Sequence, residues 1–164
     1  MKNFIFDFIK KLSENNIDYV ICGGVACILQ GCERTTFDLD INIFMSDKNL
    51  EKLVKLLKKL KFIPRIPEPM ENLLKSEIRE TWIKEKNALV YTVISNTGLF
   101  QVDIFLTYPI DYETLKRNAN ILEIDNIKLF VSSKNDLITA KKCVNPLRDK
   151  DIEDIKTLEK LLNE

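Results

Sequence analysis

Three aspartates stand where carboxylate chemistry could be done. Asp38 and Asp40 are one residue apart in the alternating stretch Asp38-Leu39-Asp40-Ile41-Asn42-Ile43-Phe44, and Asp103 is the sole charge in Phe100-Gln101-Val102-Asp103-Ile104-Phe105-Leu106. In an extended strand, residues i and i+2 project from the same face. Two carboxylates so placed repel, so one takes up a proton or the pair finds a cation. Carboxylate oxygens at this spacing suit Mg²⁺, which accepts a few carboxylates and completes its shell with water and substrate phosphates. If the Asp103 strand lies beside the Asp38 strand, three carboxylates converge on one cation. The plainer readings are two acids on the wet face of an edge strand and, for Asp103, a sheet-edge acid or one paired with a lysine.

A second feature precedes the acids. The apolar run Tyr19-Val20-Ile21-Cys22 ends in Gly23-Gly24, and a short helix over Val25–Gln30 follows, stopped by Gly31. Glycines let a ligand approach the backbone closely, and a helix start presents unpaired N–H groups, so the turn suits phosphate. A tight strand-to-helix turn with no ligand explains a Gly-Gly pair equally simply.

Composition narrows the chemistry. The 164 residues contain no histidine, so a Ser-His-Asp triad, a His general base and His-ligated zinc are all excluded. Lys+Arg 25 balances Asp+Glu 25, which is not the charge of a general nucleic-acid coat. Apolar residues at 45% argue against disorder. Cys22, Cys27, Cys32 and Cys143 form no CxxC and read as small buried apolar residues of a reducing cytosol. No apolar run reaches the length of a membrane span, and the N-terminus reads as an amphipathic helix rather than a signal peptide, so a cytoplasmic protein without membrane contact is expected. There is no GxxxxGK[ST] loop and no strand-linked GxGxxG.

The elements that must position these residues follow from periodicity. Residues 2–15 carry a helical stripe through Phe4, Ile5, Phe8, Ile9 and Leu12, and Leu50, Leu53, Val54, Leu57 and Leu60 mark a second helix capped by Ser46 or Asp47. The other face of that second helix is basic (Lys48, Lys52, Lys55, Lys58, Lys59), which fits either a solvated face or a phosphate-tracking surface. Pro64, Pro67 and Pro69 make a loop, and residues 71–86 are ambiguous with helical character. Ala88–Ser95 and Leu99–Thr107 read as strands of a hairpin around Asn96-Thr97-Gly98, and Ile121–Ile124 and Lys128–Val131 as strands flanking Asp125-Asn126. Helices over 134–143 and 149–163 close the chain. The expected architecture is α/β (α+β): one domain over 1–164, a mixed sheet with helices packed against it in a core over about 17–131, and a C-terminal helical pair over about 134–163.

Taken jointly, these residues resemble the DNA polymerase β-type nucleotidyltransferase superfamily. Its minimal members carry Gly-Gly-x-Ala…Gly…Arg-x-Thr-x-Asp-Leu-Asp, and this chain has Gly23, Gly24, Ala26, Gly31, Arg34, Thr36, Asp38, Leu39 and Asp40 at those places. Asp136-Leu137-Ile138-Thr139-Ala140-Lys141, followed by Arg148-Asp149-Lys150-Asp151 and Asp154, is similar to the tail motif of abortive-infection-type toxin nucleotidyltransferases. The resemblance spans residues 17–163.

The resemblance implies transfer of a nucleoside monophosphate from a nucleoside triphosphate to a hydroxyl, with pyrophosphate leaving. Asp38 and Asp40 would hold Mg²⁺ or Mn²⁺ against the triphosphate, and Asp103 would complete a second metal position and help deprotonate the acceptor hydroxyl. Gly23 and Gly24 would cradle the β- and γ-phosphates, with Arg34, Thr36, Lys141 and Lys150 as further nucleotide contacts. Arg34 could instead pair with Asp38 or Asp40, and Lys141, Lys150 and Arg148 could be solvated. Many superfamily members have Gly-Ser where this chain has Gly23-Gly24, so the serine hydroxyl is missing. The triphosphate could be ATP, GTP or another, and the acceptor a tRNA, another RNA, a protein side chain or a small molecule such as an antibiotic. The chain could be a toxin–antitoxin or abortive-infection component with a partner, or a homodimer whose second copy walls the acceptor site. A non-catalytic nucleotide-binding module retaining the fold is the alternative. Trp82 and the Pro64–Pro69 loop are expected at most to shape an acceptor pocket.

Overall fold

Alternation along Asp38–Ile43 decides which side of the sheet is core and which is site. Leu39, Ile41 and Ile43 are fully buried, whereas Asp38 is exposed and Asp40 half-buried on the opposite face. The computed structural model describes residues 3–164. Its elements are α1 (Phe4–Glu14), β1 (Tyr19–Cys22), α2 (Gly23–Leu29), β2 (Asp38–Ile43), α3 (Asp47–Lys59), β3 (Ile63–Pro64), a 3₁₀ turn (Met70–Leu74), α4 (Ser76–Lys86), β4 (Val90–Ile94), β5 (Gln101–Phe105), α5 (Tyr112–Asn118), β6 (Asn120–Ile124), β7 (Ile127–Val131), α6 (Lys134–Lys142) and α7 (Asp149–Leu162). The strands form one mixed sheet in the order β3-β4-β5-β2-β1-β7-β6.

β2 is central, antiparallel to β1 and parallel to β5. Two hairpins flank this core: β4–β5, and β6–β7, whose turn residues Asp125 and Asn126 both take positive φ. The main core joins Phe8, Ile9 and Leu12 of α1 and Leu50, Leu53, Val54, Leu56 and Leu57 of α3 to the apolar face of β2. Burial of this kind contributes about 25 cal/mol per Å² and is the main driving force of the fold. A second, small cluster lies on the other face, where Leu115 of α5 packs on Val20 and Cys22 of β1.

The expected elements form with four differences, the first being β3, a two-residue strand paired with β4 at Ile63–Pro64 where the prolines indicated only a loop. The helix read over 2–15 is observed as Phe4–Glu14, and its first residue, Lys2, lies outside the described residues. α2 begins at Gly23, two residues earlier than periodicity indicated, so the glycine pair is the first turn of the helix rather than a break before it. α5 was not anticipated at all. Ser46 is the N-cap of α3, its side chain accepting from the Asn49 N–H.

Candidate active site

Strand register brings the three aspartates to one face. On the parallel pair β2–β5, Asp40 stands directly beside Asp103 and Asp38 beside Gln101. Cys22 of β1 stands on the other side of Asp40. Asp103 is therefore neither a sheet-edge acid nor a lysine partner. The Thr92 hydroxyl donates to its Oδ1 at 2.5 Å, and the Gln101 amide lies 3.3 Å from both its oxygens. Gln101 is in turn held by Arg65 Nη1 at 2.9 Å. Among the described residues no lysine or arginine forms an ion pair with Asp38, Asp40 or Asp103. Burial, and then the charges of Asp103 and Asp38, push the Asp40 carboxyl from its ordinary 3.8 up to about 6, while the Gly24 N–H and Lys141 pull the other way.

The glycines fit tightly against this group. Gly23 has φ +59°, and a Cβ there would lie 2.7 Å from the Asp40 carboxyl carbon. At Gly24 a Cβ would meet the Thr36 hydroxyl at 3.0 Å and Arg34 Nη2 at 3.3 Å. The structure thus gathers Gly23, Gly24, Thr36 and Arg34 beside Asp40.

The basic residues are arranged differently from expectation. Arg34 pairs with neither Asp38 nor Asp40; its Nη1 lies 2.5 Å from Asp154. Lys141 is buried and binds Asp154 at 2.8 Å and Asp151 at 3.4 Å. Burial opposes its charge, but the bond to Asp154 and the neighbouring acids outweigh that and raise its pKa. Arg148 donates twice to Asp151, at 2.6 and 3.0 Å. Two acids and three cations thus tie α6 and α7 to the segment before β2, and buried charges require such pairing. Lys150 is exposed in the first turn of α7 and makes no ion pair among the described residues.

One further cluster invites a metal reading. The ligand atoms of Cys27, Cys32 and Asp154 lie within 4.8 Å of one another, and among the described residues no other such trio occurs. Asp154 is already claimed by Arg34 and Lys141, and burial pushes the Cys27 thiol up to about 12. The helix end explains the contact: the Cys32 N–H bonds the Cys27 carbonyl and the Gly31 N–H bonds that of Ile28, with Gly31 at φ +111°. This is a Schellman termination, which brings the two cysteine side chains together as its apolar contact. Three cysteines are buried as expected; Cys143 is exposed.

Side-chain direction corrects two expectations. Trp82 stacks on Tyr91 with centroids 5.3 Å apart, and the Tyr91 hydroxyl donates to the Glu68 carbonyl in the proline loop at 2.6 Å. Tyr91 alternates with Thr92, which faces Asp103, so Trp82 and its support belong to the core side and cannot wall a site at the acids. The helix with the lysine face, α3, also packs on the core side. Opposite it, sequence reasoning missed a cavity of about 340 Å³ on the acid face, between the ends of β2 and β5 and the start of α5. It also missed Tyr108, whose hydroxyl is pushed strongly up by burial and by the nearby Cys22, Asp136 and Asp40. The one local signal was Asp111, an N-cap whose side chain accepts from the Thr114 N–H.

The profile of the family described as "Nucleotidyltransferase of unknown function (DUF6036)" matches residues 3–164. Among solved structures, the lincosamide antibiotic adenylyltransferase LnuA with lincomycin bound has a TM-score of 0.65 at 13% identity, covering 98% of each chain. The antibiotic-resistance factor ANT(2″)-Ia has a TM-score of 0.59 at 15% identity, covering 96% of this chain and 82% of its own. A nucleotidyltransferase-like protein from Paracoccidioides brasiliensis has a TM-score of 0.55 at 21% identity, covering 94% and 73%. At these identities the likeness is one of fold. No curated protein sequence matches. No helix among the described residues is long and apolar enough to cross a membrane.

Proposed function

The chain belongs to a family of nucleotidyltransferases of unknown function, and from that premise we propose that it moves a nucleoside monophosphate from a nucleoside triphosphate to an acceptor hydroxyl at Asp38, Asp40 and Asp103. The observation that carries the reading is the β2–β5 register, which sets Asp40 beside Asp103 and Asp38 on the same face with no basic partner for any of them among the described residues.

The donor set fits a hard divalent cation. It offers carboxylate oxygens only, on a face where burial and like charge already make ionisation of Asp40 costly. Asp38, Asp40 and Asp103 would hold Mg²⁺ or Mn²⁺, which when bound neutralises triphosphate charge and polarises the α-phosphorus. Gly23 and Gly24 let Asp40, Thr36 and Arg34 close against the start of α2, whose backbone would meet the β- and γ-phosphates there. The Thr36 hydroxyl stands where a side chain at position 24 would reach, and so supplies the hydroxyl that a Gly-Ser pair would have carried. Lys141 and Arg34 add positive potential from behind through their network with Asp154. Asp103, aimed by Thr92 and Gln101, takes the acceptor proton as the acceptor oxygen bonds to the α-phosphorus. The bond from that phosphorus to the bridging oxygen breaks, and pyrophosphate leaves with the electron pair. Positioning and charge neutralisation supply most of the rate in such displacements. Residues 1–164 act in this reading as one catalytic domain in the cytoplasm, and a toxin–antitoxin role would set only the identity of the acceptor.

The test is transfer itself. The purified chain is incubated with each α-labelled nucleoside triphosphate, Mg²⁺ or Mn²⁺, and separate pools of tRNA, protein and small metabolites, beside Asp40→Asn. Label in one pool that is lost in the variant and on chelation is the expected result. Metal-dependent nucleotide binding without transfer to any pool would instead identify a nucleotide-binding module.

A further inference from the structure

The cavity on the acid face has a definite place relative to the displacement. Cys22 pairs with Asp40, so the Gly23–Gly24 turn that follows it lies level with Asp38 and Asp40, and Asn42 and Phe44 lie farther along β2, away from the turn. Asn42 follows Asp40 on the same face at about 7 Å along the strand, and Phe105 follows Asp103 in the same way. Attacking and leaving oxygens lie on opposite sides of the phosphorus. With pyrophosphate leaving toward the glycine turn, the acceptor approaches from the side of Asn42 and Phe105, which is where the cavity opens. On this ground, which rests on the transferase reading above, we propose that the cavity is the acceptor site and that it takes a small, uncharged or cationic alcohol with a flat apolar face.

The lining supports that chemistry. Phe44 and Tyr112 pair at 5.3 Å between centroids, and Phe105 and Tyr108 at 4.7 Å, giving aromatic walls to either side. Ile110 contributes a further apolar wall. Asn42 lines the cavity, is only 7% exposed, and its side-chain amide makes no hydrogen bond among the described residues. The Tyr112 hydroxyl, also in the lining, is buried with no hydrogen-bond partner among the described residues, and an acceptor hydroxyl or amine supplies one. Asp111 is on the rim, and no lysine or arginine lines the cavity. An RNA acceptor entering the cavity would set phosphates against Asp111 at a lining that holds no lysine or arginine, which the charge pattern opposes. A volume of about 340 Å³ holds a small molecule and no more of a macromolecule than one side chain or base. Aromatic faces beside carboxylates suit a cationic or neutral ring-bearing guest.

The probe is 2-amino-1-phenylethanol, observed by saturation-transfer NMR on the full chain with and without Mg²⁺ and α,β-methylene-ATP. The proposal requires saturation of the ring protons by the wild-type chain, undiminished when the metal and nucleotide analogue are added. Ile110→Trp, which fills the cavity, and Asn42→Leu, which removes the amide, should each lower the ring signal at least fivefold. Metal-dependent analogue binding in the same samples shows that the variants are folded. Asp40→Asn should keep the ring signal while losing metal-dependent analogue binding. An intact ring signal without such binding in the wild type would count against the transferase reading alone. No ring signal in the wild type overturns the proposal, as does a signal unchanged in both cavity variants. Displacement of the probe by the analogue overturns it by giving the cavity to the nucleobase. Labelling of tRNA rather than of small metabolites overturns it as well.

Discussion

Asp103 shows how one carboxylate is aimed. Thr92 and Gln101 fix its oxygens, and Arg65 fixes Gln101. Removing the hydroxyl in Thr92→Val takes away a charge-assisted hydrogen bond, an interaction of about 1.5–3 kcal/mol. Transfer should fall about tenfold in kcat with the nucleotide KM little changed, and Thr92→Ser should restore it; steady-state kinetics of the three proteins decide. Asp40 makes the opposite point, because it is held at a cost. Its carboxyl ionises near 3.8 in the unfolded chain and near 6 in the folded, metal-free chain. A raised carboxyl pKa leaves stability intact below the unfolded value and erodes it as pH rises through the folded one. Asp40→Asn should therefore unfold at the same temperature as the wild type below pH 4. Its advantage should grow between pH 4 and 6 and stay constant above, in metal-free thermal melts. A wild type whose melting temperature rises over that window relative to the variant would show that Asp40 is not strained by burial and like charge.

At the scale of elements, α2 and α5 bracket the acids from opposite ends. Both escaped periodicity for physical reasons. α2 opens on Gly23 and Gly24, poor helix residues tolerated because any Cβ at Gly23 would collide with Asp40. α5 is one short helix of seven residues with a single buried side chain, Leu115, so it has no apolar stripe to read. Its visible signal is the cap at Asp111, and Asp111→Ala should cost about 1 kcal/mol in a urea melt. The strands were legible because alternation of apolar and polar residues is their direct imprint, and the Asp125-Asn126 turn because both residues tolerate positive φ.

At the scale of the whole molecule, the sheet separates functions by face. The lysines of α3 and the stacked pair Trp82–Tyr91 lie with the core side, and the acids, the cavity and α5 lie opposite. Burial follows the same plan for the thiols. Cys22, Cys27 and Cys32 are inside and Cys143 is at the surface, so Ellman's reagent should titrate one thiol in the native protein and four in guanidinium. Two or more fast-reacting thiols in the native state would mean that the α2 region opens.

The sequence by itself determined the acidic pair on one strand face, the lone Asp103, the glycine turn, the family and the order of most elements. Each of these is a local pattern, fixed by the period of a strand or helix or by a contiguous motif. Tertiary structure alone decided that Asp40 faces Asp103, because register between strands some sixty residues apart is set by packing of the shared core. It likewise decided that Arg34 and Lys141 serve Asp154 while Lys150 stays in solvent, because a buried charge takes its partner from whichever element folding brings into reach. The cavity belongs to the same class: its walls come from β2, β5 and α5, and no single segment of the chain contains it.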